Sequence, residues 1–259
     1  MLQSDRFFNF TGVSNFRHMG GYAAANGRTT RGDLLFRSGH VELKTPKDIE
    51  HFEGLGIDTA FDFRTRAERR YRPLQFPVAS PPRIVELGVS GGSVGHLMTF
   101  LETSASSAND VTARMKLIYT SLVIDSADIF RAFLNHLITT ESGVLIICSL
   151  GKDRTGIASA LLLAALGVPK QGILEDYLLS SRAYRNMAEG IARLEYLLGS
   201  KRLFSDKPLI EPVLSAQPEY FDAFWHAVQT AAGGIENFIT QYLKIDPSDV
   251  RILREKFTE

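Results

Sequence analysis

An α/β fold, with a central mostly parallel sheet flanked by helices, is what this 259-residue sequence predicts. Three observations carry that prediction. Short runs at residues 34–38, 57–63, 83–87 and 143–147 have the length and apolar patterning of strands. Segments of helical spacing lie between them, and strand–helix alternation is the pattern of a parallel sheet covered by helices. After residue 170 the strand-like runs stop and aromatic and apolar helical stripes take over, so an added helical layer is expected.

In order, residues 34–38 form the first strand. Thr45 caps a helix, Pro46 suits its first position and Asp48 completes a box-like start. Ile49, Phe52 and Leu55 have helical spacing, and Gly54 and Gly56 end it. Residues 57–63 alternate as a strand, and residues 83–87 supply another. Residues 88–95 and 104–109 read as flexible, turn-rich loops flanking a short segment. Residues 129–138 are a strongly periodic helix leading to the apolar strand at 143–147. Residues 157–166 are apolar all round and are closed by Gly167 and Pro169, which marks a core helix. From Ile173 onward, Met187, Ile191, Leu194, Tyr196 and Leu197 are placed to cover the core or a substrate. No internal repeat or low-complexity tract is evident, so residues 1–259 read as a single domain. In such a sheet the ligand site lies at the carboxyl ends of the strands, where Asp62 and Cys148 both fall.

Cys148, the chain's only cysteine, opens the stretch Cys148-Ser149-Leu150-Gly151-Lys152-Asp153-Arg154-Thr155-Gly156. It sits in a strand–loop–helix turn, where backbone N–H groups and a helix N-terminus converge on one point. Such a cradle favours a thiolate and holds the equatorial oxygens of a transferring phosphoryl group. Arg154 adds a planar donor fork suited to phosphate. Thr155 is placed to hydrogen-bond the sulfur and improve it as a leaving group. Nucleophilic attack, charge stabilisation and a second hydrolytic step fit within this one segment. The alternative is a buried structural cysteine, but Lys152, Asp153 and Arg154 beside it would be costly in a dry core.

These residues resemble the phosphate loop of the cysteine-dependent protein tyrosine phosphatase superfamily. Residues 15–22 (NFRHMGGY), 31–39 (RGDLLFRSG) and 62–65 (DFRT) with Glu68 are similar to the ordered landmarks of one bacterial branch. That branch includes the mycobacterial protein tyrosine phosphatase B and its listerial relative. Residues 216–221 (AQPEYF) and 233–236 (GGIE) are similar to its C-terminal signature. The resemblance runs from Gly12 to the end of the chain. It implies a phosphatase-like fold, hydrolysis of phosphotyrosine through a phospho-cysteine, and a helical lid over residues 180–215. Relatives also accept phosphoserine, phosphothreonine and phosphoinositides, so a phosphorylated protein or a phosphoinositide is the implied partner. Two positions depart from the branch: Ile147 stands where it usually carries His, and His18 where it carries Asp. Loss of that His removes one group that orients the cysteine, but not the backbone cradle.

The leaving oxygen needs a general acid. Many superfamily members supply an Asp from a Trp-Pro-Asp loop, but the only tryptophan, Trp225, lies in residues 222–226 (DAFWH) with no Pro-Asp after it. Asp153, beside Arg154, is the first candidate, with a carboxylate that only orients Arg154 or Lys152 as the simpler reading. Asp62 is second, and an ion pair with Arg64 is its simpler reading. Ser149 to Arg154 are the expected phosphate-binding residues, and Lys152 would add a second cation for substrates with more than one phosphate. Arg64, Arg66, Arg69, Arg70 and Arg72 read either as a solvated helix face partly paired with Glu68 or as an anion-recruiting rim, with Arg64 nearest the site.

Composition sets the remaining limits. The chain is 44% hydrophobic and 22% charged, enough to bury a substantial core. Its 29 basic and 29 acidic residues cancel, so no net field recruits nucleic acid or membrane. A lone cysteine forms no internal disulfide, which suits a reducing cytoplasm. The N-terminal residues lack a signal-peptide pattern, although export by another route stays open. No apolar run reaches the ~20 residues of a spanning helix. His18, His40, His51, His96, His136 and His226 lack paired ligand spacing, so neither metal nor cofactor is expected; His40, at a strand end, reads as a surface residue, with a place in the pocket lining as the alternative. Two rivals remain. A catalytically inactive phosphate-binding module would have lost Cys148, Asp153 or Asp62, and an arsenate reductase would need further cysteines.

Overall fold

Gly143–Ile147, the apolar run before Cys148, forms β5, the central strand of a five-stranded sheet in the computed structural model. The structure describes residues 6–90, 99–101, 107–185, 187–198 and 207–259. β2 (Leu35–Ser38) and β3 (Ile57–Asp62) flank β5, both parallel to it. β4 (Arg83–Glu86) continues the sheet beyond β3 in parallel, and β1 (Arg17–His18) closes the other edge antiparallel to β2. The order is β1-β2-β5-β3-β4. The expected α/β class and all four expected strands are present. β1 was not foreseen, because two residues carry no alternation to read.

Side chains of β5 divide between two cores, as the period of two requires. Val144 and Ile146 join Leu35, Phe61 and the helices on one face. Leu145 and Ile147 join Phe36, Ala60 and an aromatic cluster of Phe10, Phe16 and Phe52 on the other. The register sets Ser38 and Asp62 opposite Ile147. The chain therefore leaves all three strands at one level, and Cys148 emerges between Gly39 and Phe63.

α1 (Pro46–Glu53) starts with the expected box: Asp48 N–H donates to Thr45 Oγ1, and Asp48 accepts from Thr45 N–H. α2 (Arg66–Tyr71) repeats the device with Thr65 and Glu68. α3 (Ala108–Asp125) takes the last two residues of the turn-rich stretch expected at 104–109: Ser107 caps it, and Val111, Met115, Tyr119 and Leu122 form its buried stripe. Residues 91–98 and 102–106, where the rest of the expected loops fall, lie outside the described residues. α4 (Ala127–Thr139) precedes β5 as expected.

α5 (Asp153–Ala165) begins earlier than its apolar run, so Asp153 and Arg154 occupy its first turn. It is buried from Arg154 to Ala165, consistent with a helix apolar all round. Among the described residues helices then follow without a strand: α6 (Lys170–Leu178), a 3-10 segment (Leu179–Tyr184), α7 (Met187–Leu198), α8 (Lys207–Leu214), α9 (Pro218–Ala232) and α10 (Pro247–Phe257). Of the residues expected to cover the core from α7, Leu194 is fully buried; the side chains of Met187 and Leu197 lie outside the described residues. Among the described residues no helix is long and apolar enough to cross a membrane.

Candidate active site

Gly151 explains why the chain turns as it does after β5. Its φ is +68°, and a Cβ there would lie 2.4 Å from Gly39 N and Ser38 C, so only glycine fits. The loop carbonyls are bound from outside. Ser149 O accepts from His40 N–H at 3.0 Å. Leu150 O accepts from the Tyr184 hydroxyl at 2.6 Å, and Gly151 O from Asn15 Nδ2 at 2.8 Å and Arg37 Nη2 at 2.9 Å. In a trans peptide the carbonyl and the following N–H point opposite ways. Outward carbonyls at 149–151 therefore aim the N–H groups of Leu150, Gly151 and Lys152 inward. The Gly151 N–H donates to Cys148 Sγ at 3.2 Å, which confirms that direction.

Arg154 rises from the first turn of α5, and Glu68 of α2 grips it. Nη1 donates to Glu68 Oε2 at 2.7 Å and Nη2 to Oε1 at 2.8 Å. The Ser149 hydroxyl donates to Oε1 at 2.6 Å, and Thr65 N–H to Oε2 at 2.7 Å. Burial alone would raise the Glu68 pKa. The hydrogen bonds and charge of Arg154, with Ser149 and Thr65 adding to them, outweigh it and hold the carboxylate at about 2. Arg154 Nε has no partner among the described residues, so one donor of the fork stays uncommitted. The sequence reading names Glu68 as a landmark but does not assign it to Arg154. Its Thr-x-x-Glu spacing signals a helix start, but nothing local names Arg154 as its partner, and the basic cluster that it was expected to join goes elsewhere.

Below the loop lies a buried ionic cluster. Asp176 of α6 accepts from Arg17 Nε at 3.3 Å and from Arg37 Nη1. Burial opposes its ionisation, yet the two guanidinium charges hold its pKa below the usual carboxylate range. Through Arg37 this cluster fixes the Gly151 carbonyl, so the landmarks at residues 15–22 and 31–39 act as loop supports. Replacing Asp176 with Asn should leave two buried guanidiniums facing one another and cost ~3–5 kcal/mol. Chemical denaturation measures this, and a loss below ~1 kcal/mol would show that the cluster is not coupled to folding.

Several expectations change on contact with this geometry. Asp62 does reach the end of β3, but it is fully buried and chelated by Arg64, whose Nη2 donates to Oδ2 at 2.7 Å and whose Nε donates to Oδ1 at 2.9 Å. Arg64, expected at the substrate rim, is itself buried, because its fork is held by Asp62, by His40 Nδ1 at 2.9 Å and by Arg72 O at 2.6 Å. His40 is buried rather than superficial. Burial, then the neighbouring Arg64 charge, pushes its pKa down to about 3. Since an arginine only donates, Nδ1 is the acceptor and the ring is neutral with its proton on Nε2.

Lys152 does not offer a second cation. Its side chain is fully buried, and Nζ donates to Ser215 O at 3.0 Å and to Val213 O at the end of α8. Any contribution to phosphate comes from its backbone N–H. Thr155 lies buried in α5, and its hydroxyl makes no hydrogen bond to the sulfur or to other described residues. Asp153 is only partly buried; its Oδ1 accepts from the Tyr119 hydroxyl at 2.6 Å and lies 3.3 Å from Lys152 Nζ. The charges beside Cys148 are thus inside the protein after all, each with a partner that offsets its desolvation. In the basic helix face, Arg66 and Arg70 are exposed, Arg69 pairs with Glu86, and Arg72 donates to Tyr196 O.

The profile of the tyrosine phosphatase family matches residues 8–259. A Cupriavidus necator protein that carries the provisional name of a tyrosine-protein phosphatase is 32% identical over 249 residues, covering 93% of this chain and 86% of its own. A Nostoc commune tyrosine-protein phosphatase is 28% identical over 153 residues, which is 58% of this chain and 49% of that protein. The crystal structure of P. aeruginosa TpbA aligns over 67% of this chain and 84% of its own, at 16% identity and a TM-score of 0.30, too distant to carry an argument. The family match spans the cysteine loop, the strands that aim it and the helices behind it: the chain belongs to the tyrosine phosphatase family.

Proposed function

We propose that this protein hydrolyses phosphotyrosine by way of a phospho-cysteine on Cys148. The observation that carries the proposal is the inward cradle, in which Gly151 N–H meets Cys148 Sγ at 3.2 Å beside an arginine gripped by Glu68. In the first step the thiolate attacks phosphorus and the P–O bond to tyrosine breaks. Its electrons stay on the leaving oxygen, which takes a proton from Asp153. Inward N–H groups and Arg154 stabilise the equatorial oxygens. In the second step Asp153, now a carboxylate, takes a proton from water as that water attacks phosphorus, and the S–P bond returns its pair to sulfur.

Asp153 is preferred to Asp62 because it is the less buried of the two and opens α5 directly after the cysteine loop, whereas Asp62 is chelated by Arg64. Thr155 is assigned no hydrogen bond to the sulfur in this scheme. The similarity to the branch of mycobacterial protein tyrosine phosphatase B rests on the landmarks at residues 15–22, 31–39 and 62–65, each of which sits against the loop. Residues 1–259 are taken as one phosphatase domain, with residues 180–215 as a helical cover over the site. Tyr184 on Leu150 O, Lys152 on Ser215 O and Arg193 Nη2 on His40 O at 2.6 Å support that cover; residues 186 and 199–206 within it lie outside the described residues.

Phosphotyrosine is placed ahead of phosphoinositides, because Lys152, the expected second cation of the loop, and Arg64, the rim arginine expected nearest the site, are both buried and partnered. Hydrolysis of a phosphotyrosine peptide in chelator-containing buffer tests the reading, with a phosphoinositide measured in parallel. The expected result is faster turnover of the peptide. A preference for the lipid, or no hydrolysis of either, would overturn it.

A further inference from the structure

Asp153 is not alone at the mouth of the loop. Tyr119, on the buried stripe of α3, donates to its Oδ1 at 2.6 Å, and Tyr177 of α6 donates to the Tyr119 oxygen at 2.8 Å. Both tyrosines are at most 2% exposed. Their rings meet edge to face at 5.9 Å, and Tyr220 of α9 flanks Tyr119 at 5.6 Å. Three helices thus converge to hold one hydroxyl on one carboxyl oxygen. Lys152 Nζ, 3.3 Å away, addresses the same oxygen. Asp153 Oδ2 makes no hydrogen bond to the described residues.

We propose that Tyr119 is a positioning residue for the acid, committing Oδ1 so that Oδ2 carries the proton for the leaving oxygen. This rests on the assignment of Asp153 as general acid. As that proton moves from Oδ2 to the leaving oxygen and the P–O bond breaks, negative charge grows on the carboxyl group. The Tyr119 hydroxyl bond strengthens with that charge, so it stabilises the transition state more than the ground state. The bond from Tyr177 polarises Tyr119 in the same sense. Burial, followed by the Asp153 charge, raises the Tyr119 pKa well above its ordinary value, which keeps the phenol a donor. The other titratable or charged groups facing Asp153 are Lys152 and Arg154, Tyr177 of α6, Tyr184 of the 3-10 segment and Tyr220 of α9.

Tyr119→Phe keeps the ring packing, deletes the donor to Asp153 and also takes away the acceptor of the Tyr177 hydroxyl. Turnover of phenyl phosphate, which has a poor leaving group, should fall roughly tenfold, the scale of one hydrogen bond to a charged group. Turnover of para-nitrophenyl phosphate should fall far less, with KM for both unchanged. Tyr177→Phe should act in the same direction but less. Equal losses on the two esters, or none, would overturn the proposal. Asp153→Asn separates the two ideas. If it shows leaving-group dependence and Tyr119→Phe does not, only the positioning role fails; if it shows none, the acid assignment itself fails. In the Asp153→Asn background, Tyr119→Phe should add nothing.

Discussion

Cys148→Ser should remove phosphatase turnover, lowering the rate by at least ~10⁴-fold, as loss of a covalent nucleophile does in other hydrolases. A serine hydroxyl is un-ionised at neutral pH and no base in the described loop is bonded to it, so attack on phosphorus fails. The phosphate cradle should survive. Its donors are backbone N–H groups aimed by Tyr184, Asn15, Arg37 and His40, together with Arg154 set by Glu68, and none of these aiming contacts uses the sulfur. The variant should therefore keep the fold, bind phosphate or vanadate nearly as well as the native protein, and hold phosphotyrosine peptide without consuming it. In the native protein, vanadate should protect Cys148 from iodoacetate. A Cys148→Ser enzyme within tenfold of the native rate would end the thiolate mechanism.

Much of this arrangement is legible in the residues alone, and the reasons differ by element. β5 and α5 are readable because one is a short apolar run and the other is apolar on every side, patterns that only a central strand and a buried helix produce. The capping residues Thr45 and Asp48 act within three positions of one another, so local spacing suffices. α3 was readable in principle, since Val111, Met115, Tyr119 and Leu122 repeat at helical intervals, but the Ser- and Asn-containing stretch before it draws the eye to a loop. β1 has nothing to read. Its two residues are strand because Arg17 and His18 pair with Arg37 and Phe36, a tertiary fact.

The site divides along the same line. Cys148, Gly151 and Arg154 lie within one short segment, so the chemistry proposed for them can be read there. Their supports lie outside it. Glu68 comes to Arg154 from 86 positions away, and Asp176 to Arg17 from 159. A charge-counting reading assigns Glu68 to its sequence neighbours, but Arg66 and Arg70 are exposed, Arg64, Arg69 and Arg72 have other partners, and Glu68 turns toward the loop. Lys152 misleads in the opposite way. In sequence it is a cation beside a phosphate site, yet in space its stem runs into the helical layer, where the carbonyls of Val213 and Ser215 satisfy it. A charge beside a site counts toward it only if its side chain has nowhere better to go.

Asp153→Asn should slow hydrolysis of alkyl phosphates by ~10²–10⁴-fold, the usual worth of a positioned proton donor. The loss should shrink as the leaving group becomes more acidic, because such an oxygen departs with less protonation. Asn keeps the shape and can still accept from Tyr119, so loop geometry should be preserved and the change confined to proton transfer. Asp62→Asn makes the opposite prediction. That carboxylate is fully buried and takes both prongs of Arg64, with the Arg64 backbone N–H adding a third bond at 3.0 Å. Removing its charge leaves Arg64 buried beside the neutral His40, so stability should drop by ~3–5 kcal/mol while the remaining folded enzyme shows no leaving-group dependence. Kinetics across a series of aryl and alkyl phosphates, with denaturation curves for both variants, separate the two carboxylates. If Asp62→Asn carried the leaving-group dependence and Asp153→Asn did not, the acid would have to act from behind Arg64, and the roles given to the two residues would exchange.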